Sequence, residues 1–250
     1  VASGDDLASL RDSFDLALIL VKSHQTAEAA QEAARVLKPG GLAISLQNGL
    51  GNYETLCEHV GTDRAAQGVT TQGAALDGVG VLKEGGAGLT IISGRPENML
   101  ALRGVVELFE RGGLRTDMVP AADLLPVVWG KLVINAAINP LTALLRVPNG
   151  ALADQPEARA LMAQAAREAA AVAAALGITL PYSDPTVRAE EVARATALNK
   201  SSMLQDVLRG ARTEIEAING AVVREGERLG TAVPVNAILY RLIKALEVGA

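Results

Sequence analysis

The chain has 250 residues, of which 49% are hydrophobic and 20% charged, a balance that suits a globular protein of one large domain or two ordinary ones. Its formal net charge is −5 and no run of Lys or Arg stands out, so recognition of a nucleic-acid backbone is excluded as a leading function. Cys57 is the only cysteine, which excludes an intrachain disulfide, and aromatics make up only 2%, so Ala, Leu and Val must build the core.

No stretch approaches about 18 uninterrupted apolar residues, so no membrane span is expected. The start, Val1-Ala-Ser-Gly-Asp-Asp6, has neither the basic nor the apolar region of a signal peptide and no initiator Met. The expectation is a cytoplasmic protein represented here by a fragment.

Asp15–Val21 is a short apolar run bounded by polar residues and predicts a strand buried on both faces. Helical spacing follows from Thr26 to Leu37, with Lys38-Pro-Gly-Gly41 as its stop. Leu42–Leu46 predicts the next strand, and Tyr53–Val60 the next helix. Strand, helix, strand, helix is the order of a doubly wound α/β sheet. Three short β-prone runs, 68–71, 80–82 and 89–92, then suggest antiparallel edge strands. A helix is expected over 98–112.

From about Ala121 the pattern is almost wholly helical, with Pro156 marking a helix start and Gly177–Pro181 a break. Further helices are predicted over 186–197, over 202–228 with a break near Gly210, and over 234–247. The reading is a partial Rossmann-like domain over 1–120 and an all-helical domain over 121–250, with ligands expected in the cleft between them.

A complete dinucleotide fingerprint is missing. Gly49-Leu-Gly51 has Glu54 where the third Gly belongs, Gly78-Val-Gly80 has Lys83, and Gly86-Ala-Gly88 has Ile91. Each reads better as turn chemistry. Asn48 follows a presumed parallel strand, where ligands of open α/β sheets bind, although Asn-Gly is also an ordinary turn signal. Lys22, past the end of the preceding strand, is either a phosphate or carboxylate contact or a solvated loop residue.

Lys131, Asn135 and Asn139 recur at every fourth position of an otherwise apolar segment, so they share one helix face. That face is either a solvated stripe or a buried site, since a buried Lys is costly unless paired or used. Pro140 is expected to end or kink the helix at Asn139. Ser202 and Asn199 have a bland reading as helix caps, and Thr213 and Glu214 as first-turn residues of the next helix. Cys57 and His59 lack the partners of a zinc site and read as structural; His24 is left open.

Taken together, these segments resemble ketopantoate reductase. The matching pieces are Val21-Lys-Ser-His-Gln25, Gln47-Asn-Gly-Leu-Gly51, Trp129-Gly-Lys131-Leu-Val-Ile-Asn135-Ala-Ala-Ile-Asn139-Pro-Leu-Thr142, Pro148-Asn-Gly150, Ser201-Ser-Met-Leu-Gln-Asp206, Thr213-Glu-Ile-Glu216 and Ile218-Asn-Gly220. The resemblance implies NADPH-dependent reduction of ketopantoate to pantoate in pantothenate and coenzyme A synthesis, with a homodimer as a possible assembly. It implies Lys131 as general acid and Glu214 as the group that binds the substrate hydroxyl and orients the Lys. Asn135, Asn139, Asn199, Ser202 and Asn48 would bind substrate. Lys22, Gln25, Asn48 and Glu214 would lie along the cofactor.

The chain departs from the family at its front. The first strand and Gly-rich turn, about 50 residues of strand and helix, should precede Val1. Weak NADPH binding and an unpaired apolar sheet edge are therefore expected. The alternatives kept open are a reductase of another branched 2-oxo acid and an inactive product that only oligomerises.

Overall fold

Alternating apolar and small residues dictate how the first half folds. A computed structural model describes residues 10–76, 78, 80–84 and 88–248, so the turn reading at Gly86-Ala-Gly88 and the centre of Gly78-Val-Gly80 lie outside the described residues, as does the start at Val1. The sheet strands are β1 (Phe14–Ile19), β2 (Leu37–Ser45), β3 (Ala65–Thr70), β6 (Thr90–Gly94) and β7 (Thr116–Met118), in that spatial order. β1, β2 and β3 run parallel, β6 is antiparallel to β3, and β7 is parallel to β6. β4 (Ala74–Leu76) and β5 (Leu82–Glu84) form a separate hairpin.

The crossovers between these parallel strands use helices α1 (Thr26–Val36) and α2 (Asn52–Val60). Ala43 and Ala65 point to a core shared with Ala30 and Ala33 of α1 and Leu56 and Val60 of α2. Their neighbours Leu42, Ile44 and Ala66 point the other way, into a core with Leu102, Val105 and Phe109 of α3 (Met99–Arg111). The period-two alternation thus feeds two helix layers.

Three expectations need correction here, and one strand was not foreseen. β1 is not buried on both faces: it pairs only with β2 among the described residues, and Phe14, Leu18 and Leu20 are exposed, Leu20 by 63%. β3 and β6 are interior strands rather than edges. β7 carried too short an apolar pattern to be seen in the sequence. Lys38-Pro-Gly-Gly41 does not cap α1, which has ended at Val36, but forms a bulge in β2: the partner of Phe14 is Leu37, and that of Leu16 is already Leu42. A Pro is tolerated at such a bulge, where no ladder hydrogen bond is required of it.

The second half is helical: α4 (Ala121–Leu145), α5 (Asn149–Asp154), α6 (Pro156–Ala175), α7 (Pro185–Ala195), α8 (Ser202–Leu208), α9 (Asn219–Leu229) and α10 (Pro234–Val248). Its core gathers Trp129, Leu132, Val133 and Ile138 of α4 with Ala165, Ala166 and Ala169 of α6, Val222 of α9 and Ile243 of α10. Each large aliphatic side chain here contributes about 1.5–3 kcal/mol by leaving water. α4 is long and apolar enough to cross a bilayer by length and composition, but this core is where its apolar face is buried.

α8 and α9 are separate helices, because the chain turns at Gly210. Gly210 has φ +64, and the amides of Gly210 and Ala211 donate to the carbonyls of Val207 and Asp206. This is a Schellman closure, which needs a left-handed residue there. The contacts divide the protein into two units, Val1–Gln47 with Asn52–Leu125, and Asn48–Gly51 with Pro126–Ala250.

Candidate active site

α4 carries the central polar face, and Pro140 does not end it. The helix runs on to Leu145. A Pro inside a helix leaves the carbonyl four residues earlier without its amide partner. That carbonyl is Ala136, and Asn219 Nδ2 donates to its oxygen at 3.0 Å, which lets the helix continue. Of the face itself, Lys131 and Asn135 are half-buried and Asn139 is only 6% exposed, so the stripe is not a solvated one.

Lys131 sits where its charge is costly. Burial lowers its ammonium from the ordinary 10.5 to about 8, and the charge of Glu214 works in the opposite direction. Glu214 is itself 5% exposed. It lies not in the first turn of α9 but in the turn that precedes it, whose amides at Ala217 and Ile218 donate back to the Glu214 carbonyl. Thr213 fixes the start of this turn, donating through its amide and hydroxyl to Glu247 Oε1 of α10 at 2.9 and 2.7 Å.

Asn48 belongs to the same unit. Its turn is fastened to the segment just beyond Glu214: the Leu50 amide donates to the Ala217 carbonyl at 2.9 Å. Gly49 has φ +87, and a Cβ there would lie 2.4 Å from the Ala217 oxygen, so no other residue fits. Asn48 is half-buried.

Ser202 and Asn199 are set by a second device. The amides of Asn149 and Gly150 donate to the carbonyls of Asn199 and Ala197 at 3.0 and 3.1 Å, and the Asn149 side chain donates to Thr196 Oγ1 at 2.8 Å. The helix cap of α8 is Ser201, not Ser202: its hydroxyl accepts from the Leu204 amide at 3.0 Å and pairs with Thr142 Oγ1 of α4 at 2.7 Å. Ser202 is thereby released for other work and is half-buried, while Asn199 is exposed.

Lys131, Asn135, Asn139, Glu214, Asn48, Asn199 and Ser202 thus all belong to the helical unit, and of these Lys131 and Glu214 interact through their charges. Lys22 and Gln25 belong to the sheet unit. At the carboxyl end of β1, Lys22 caps a single 3-10 turn of which Gln25 is the last residue, Lys22 half-buried and Gln25 exposed. Gln47 Nε2 holds this turn by donating to the Val21 carbonyl and to Thr26 Oγ1, each at 2.8 Å. His24 is exposed. Cys57 is half-buried beside Tyr53; burial is the main cause that raises its thiol, as for a structural residue.

Sequence reasoning missed Tyr182, whose hydroxyl donates to the Gly130 carbonyl at 2.8 Å next to Lys131, and Asn219. A Pro within a helix signals that the carbonyl four residues back needs an outside donor, but not which residue supplies it.

Comparison with known proteins places these residues in a family. Residues 5–97 match the family model described as Ketopantoate reductase PanE/ApbA, and residues 123–247 its C-terminal model. The 2-dehydropantoate 2-reductase of Halobacterium salinarum is 40% identical over 231 residues, 92% of this chain and 75% of that protein. A PanE/ApbA family ketopantoate reductase from Ralstonia eutropha JMP134 superposes with TM-score 0.88 at 30% identity, covering 100% of this chain and 80% of that one. D-mandelate dehydrogenase in complex with NADH superposes with TM-score 0.84 at 25% identity, over 94% and 80% of the two chains. The chain belongs to the ketopantoate reductase family.

Proposed function

We propose that Lys131 and Glu214 are the catalytic pair with which this chain reduces 2-dehydropantoate to pantoate. The observation that carries the assignment is a lysine on an apolar helix, its ammonium brought to about 8 by burial and answered by the charge of a nearly buried carboxylate. A general acid works best with a pKa near the working pH, and a cation at that place also stabilises the alkoxide that develops.

In the reaction, hydride adds to C2 of the 2-oxo acid and a proton to the C2 oxygen. Lys131 Nζ–H donates that proton. Glu214 accepts from the substrate hydroxyl and holds the ammonium in place. Asn135, Asn139, Asn199, Ser202 and Asn48 fix the carboxylate and hydroxyl of the substrate by hydrogen bonds. The flanking Leu132, Val133, Ala136, Ala137 and Ile138 are buried in the helical core, and this low-dielectric backing strengthens each charge interaction.

The hydride comes from a reduced nicotinamide dinucleotide, and NADPH is the form we propose. The donors present fit one flank of such a molecule. Lys22 offers a cation and Gln25 an amide from a turn that Gln47 and Thr26 hold open. Asn48 and Glu214 are the further cofactor contacts we propose. Among the described residues there is no Gly-x-Gly-x-x-Gly turn to cradle its pyrophosphate. The product would enter pantothenate and coenzyme A synthesis, in the cytoplasm, from a chain that pairs with a second copy.

The test is NADPH-linked reduction of 2-dehydropantoate with pantoate identified by mass, comparing the parent with Lys131→Ala. Equal turnover in the two would end the assignment of Lys131.

A further inference from the structure

The Pro in α4 has a second consequence. Ala136 needs a donor from outside its helix, and the one it receives comes from the first residue of α9, directly after the turn that carries Glu214. We infer that Asn219, oriented by Asn236 and Glu168, is a positioning residue that holds the Lys131 helix in register with the Glu214 turn. This rests on the reading of Lys131 and Glu214 as the catalytic pair.

Asn219 is fully buried, and both hydrogens of its amide are used: one on the Ala136 carbonyl, the other on Asn236 Oδ1, each at 3.0 Å. Asn236, also fully buried, donates in turn to the Ala165 carbonyl at 3.0 Å and to Glu168 Oε2 at 2.9 Å. Glu168 accepts the amides of Val235 and Asn236 at 3.0 and 2.9 Å, so a carboxylate of α6 closes the first turn of α10. The orientation of the Asn219 amide is therefore dictated from two helices other than its own.

What this amide holds is the part of α4 that matters. Ala136 follows Asn135 directly and lies between Lys131 and Asn139 on the helix, while Thr142, one turn on, is tied to Ser201. On the other side, Asn219 opens α9 immediately after the Glu214 turn, which is closed by the Gly220 amide donating to the Ile215 carbonyl at 2.9 Å. Slippage of Asn219 would move the two catalytic groups relative to each other. Asn219 Oδ1, moreover, is buried without a hydrogen-bond partner. A position chosen for stability alone would not keep that acceptor, since a helix without Pro140 would need no side chain at Ala136.

The experiment uses the full chain. Asn219→Ala is compared with the parent for kcat and KM on 2-dehydropantoate. In parallel, lysine labelled with 13C at Cε reports the Lys131 signal by NMR, assigned by its loss in Lys131→Ala. We expect turnover of the folded protein to fall about 10- to 100-fold, the scale of a reacting group displaced by about 1 Å, with the larger share in kcat. The Lys131 signal should move. Pro140→Ala in the same background returns an amide to Ala136, and should restore the melting temperature but not kcat.

Recovery of kcat together with the melting temperature would overturn the inference, because satisfying one carbonyl would then be the whole role. An unmoved Lys131 signal would overturn it too. Should Asn219→Ala fail to fold, the double variant carries both measurements. A parent without turnover would count against the reductase reading alone, and the Lys131 signal would still decide the positioning role.

Discussion

Glu214→Gln should lower the pH at which turnover is lost. Burial brings the Lys131 ammonium from 10.5 to about 8, a penalty of about 3 kcal/mol on its charge, and Glu214 is the group that limits that penalty. With a midpoint near 8, about nine-tenths of the parent carries the proton at pH 7, and turnover declines above the midpoint by about tenfold per pH unit. Gln keeps the shape of Glu but not its charge, so the midpoint moves below 8. If it falls by one unit, about half of the variant is protonated at neutral pH, and its rate at pH 9 drops about tenfold relative to the parent from protonation alone. The assay is the initial rate of reduced-nicotinamide consumption at saturating 2-dehydropantoate across about pH 6–10. A limb that stays in place or moves upward in the variant would refute the reasoning, as would a parent limb near 10.5.

Lys131→Ala should reduce kcat by about 10²–10⁴, the usual contribution of a general acid, with the dissociation constant for NADPH unchanged by fluorescence titration. Because Lys131 titrates lower in the folded chain than in the unfolded one, the unfolded chain binds more protons between about 8 and 10.5, and stability should rise with pH across that window. Urea unfolding of Lys131→Met should lack this rise. Gly150→Ala places a Cβ 2.6 Å from that of Ala197, so it should cost about 1–3 kcal/mol and raise KM by shifting Asn199, as read from chemical denaturation and steady-state kinetics. Gly49→Ala meets the Ala217 backbone as well as an unfavourable φ and should lower the melting temperature more than Gly150→Ala does.

The parts legible in the sequence are those fixed by local pattern. The apolar runs at β1 and β2, the Ala-rich periodicity of α6 and the break at Gly210 follow from side-chain period and glycine conformation, which act over a few residues. The spacing of Lys131, Asn135 and Asn139 placed them on one face for the same reason. What was not legible depends on partners distant in sequence. The antiparallel pairing of β3 with β6 was expected from their short β-prone runs, but their interior place in the sheet, and the brevity of β7, are set by the sheet rather than by either strand. The exposure of β1 reflects its having β2 alone beside it among the described residues, which an apolar run cannot report. The continuation of α4 through Pro140 depends on Asn219, some 80 residues on, and no propensity of residues 136–140 announces that donor. The choice of Ser201 over Ser202 as the cap of α8 likewise turns on Thr142.

The four residues Asn48–Gly51 carry a consequence for dissecting the protein. They are encoded in the middle of the first half, yet they are packed as part of the second. A helical half produced by cutting the chain after Leu125 would lack the strip that Gly49 and Leu50 lay along Ala217, leaving that carbonyl bare and the turn of Glu214 without one of its supports. The two halves are therefore not interchangeable modules. A swap between relatives at this boundary has to carry the distant tetrapeptide with it, and limited proteolysis within residues 48–51 should loosen the helical half although no bond in it has been cut.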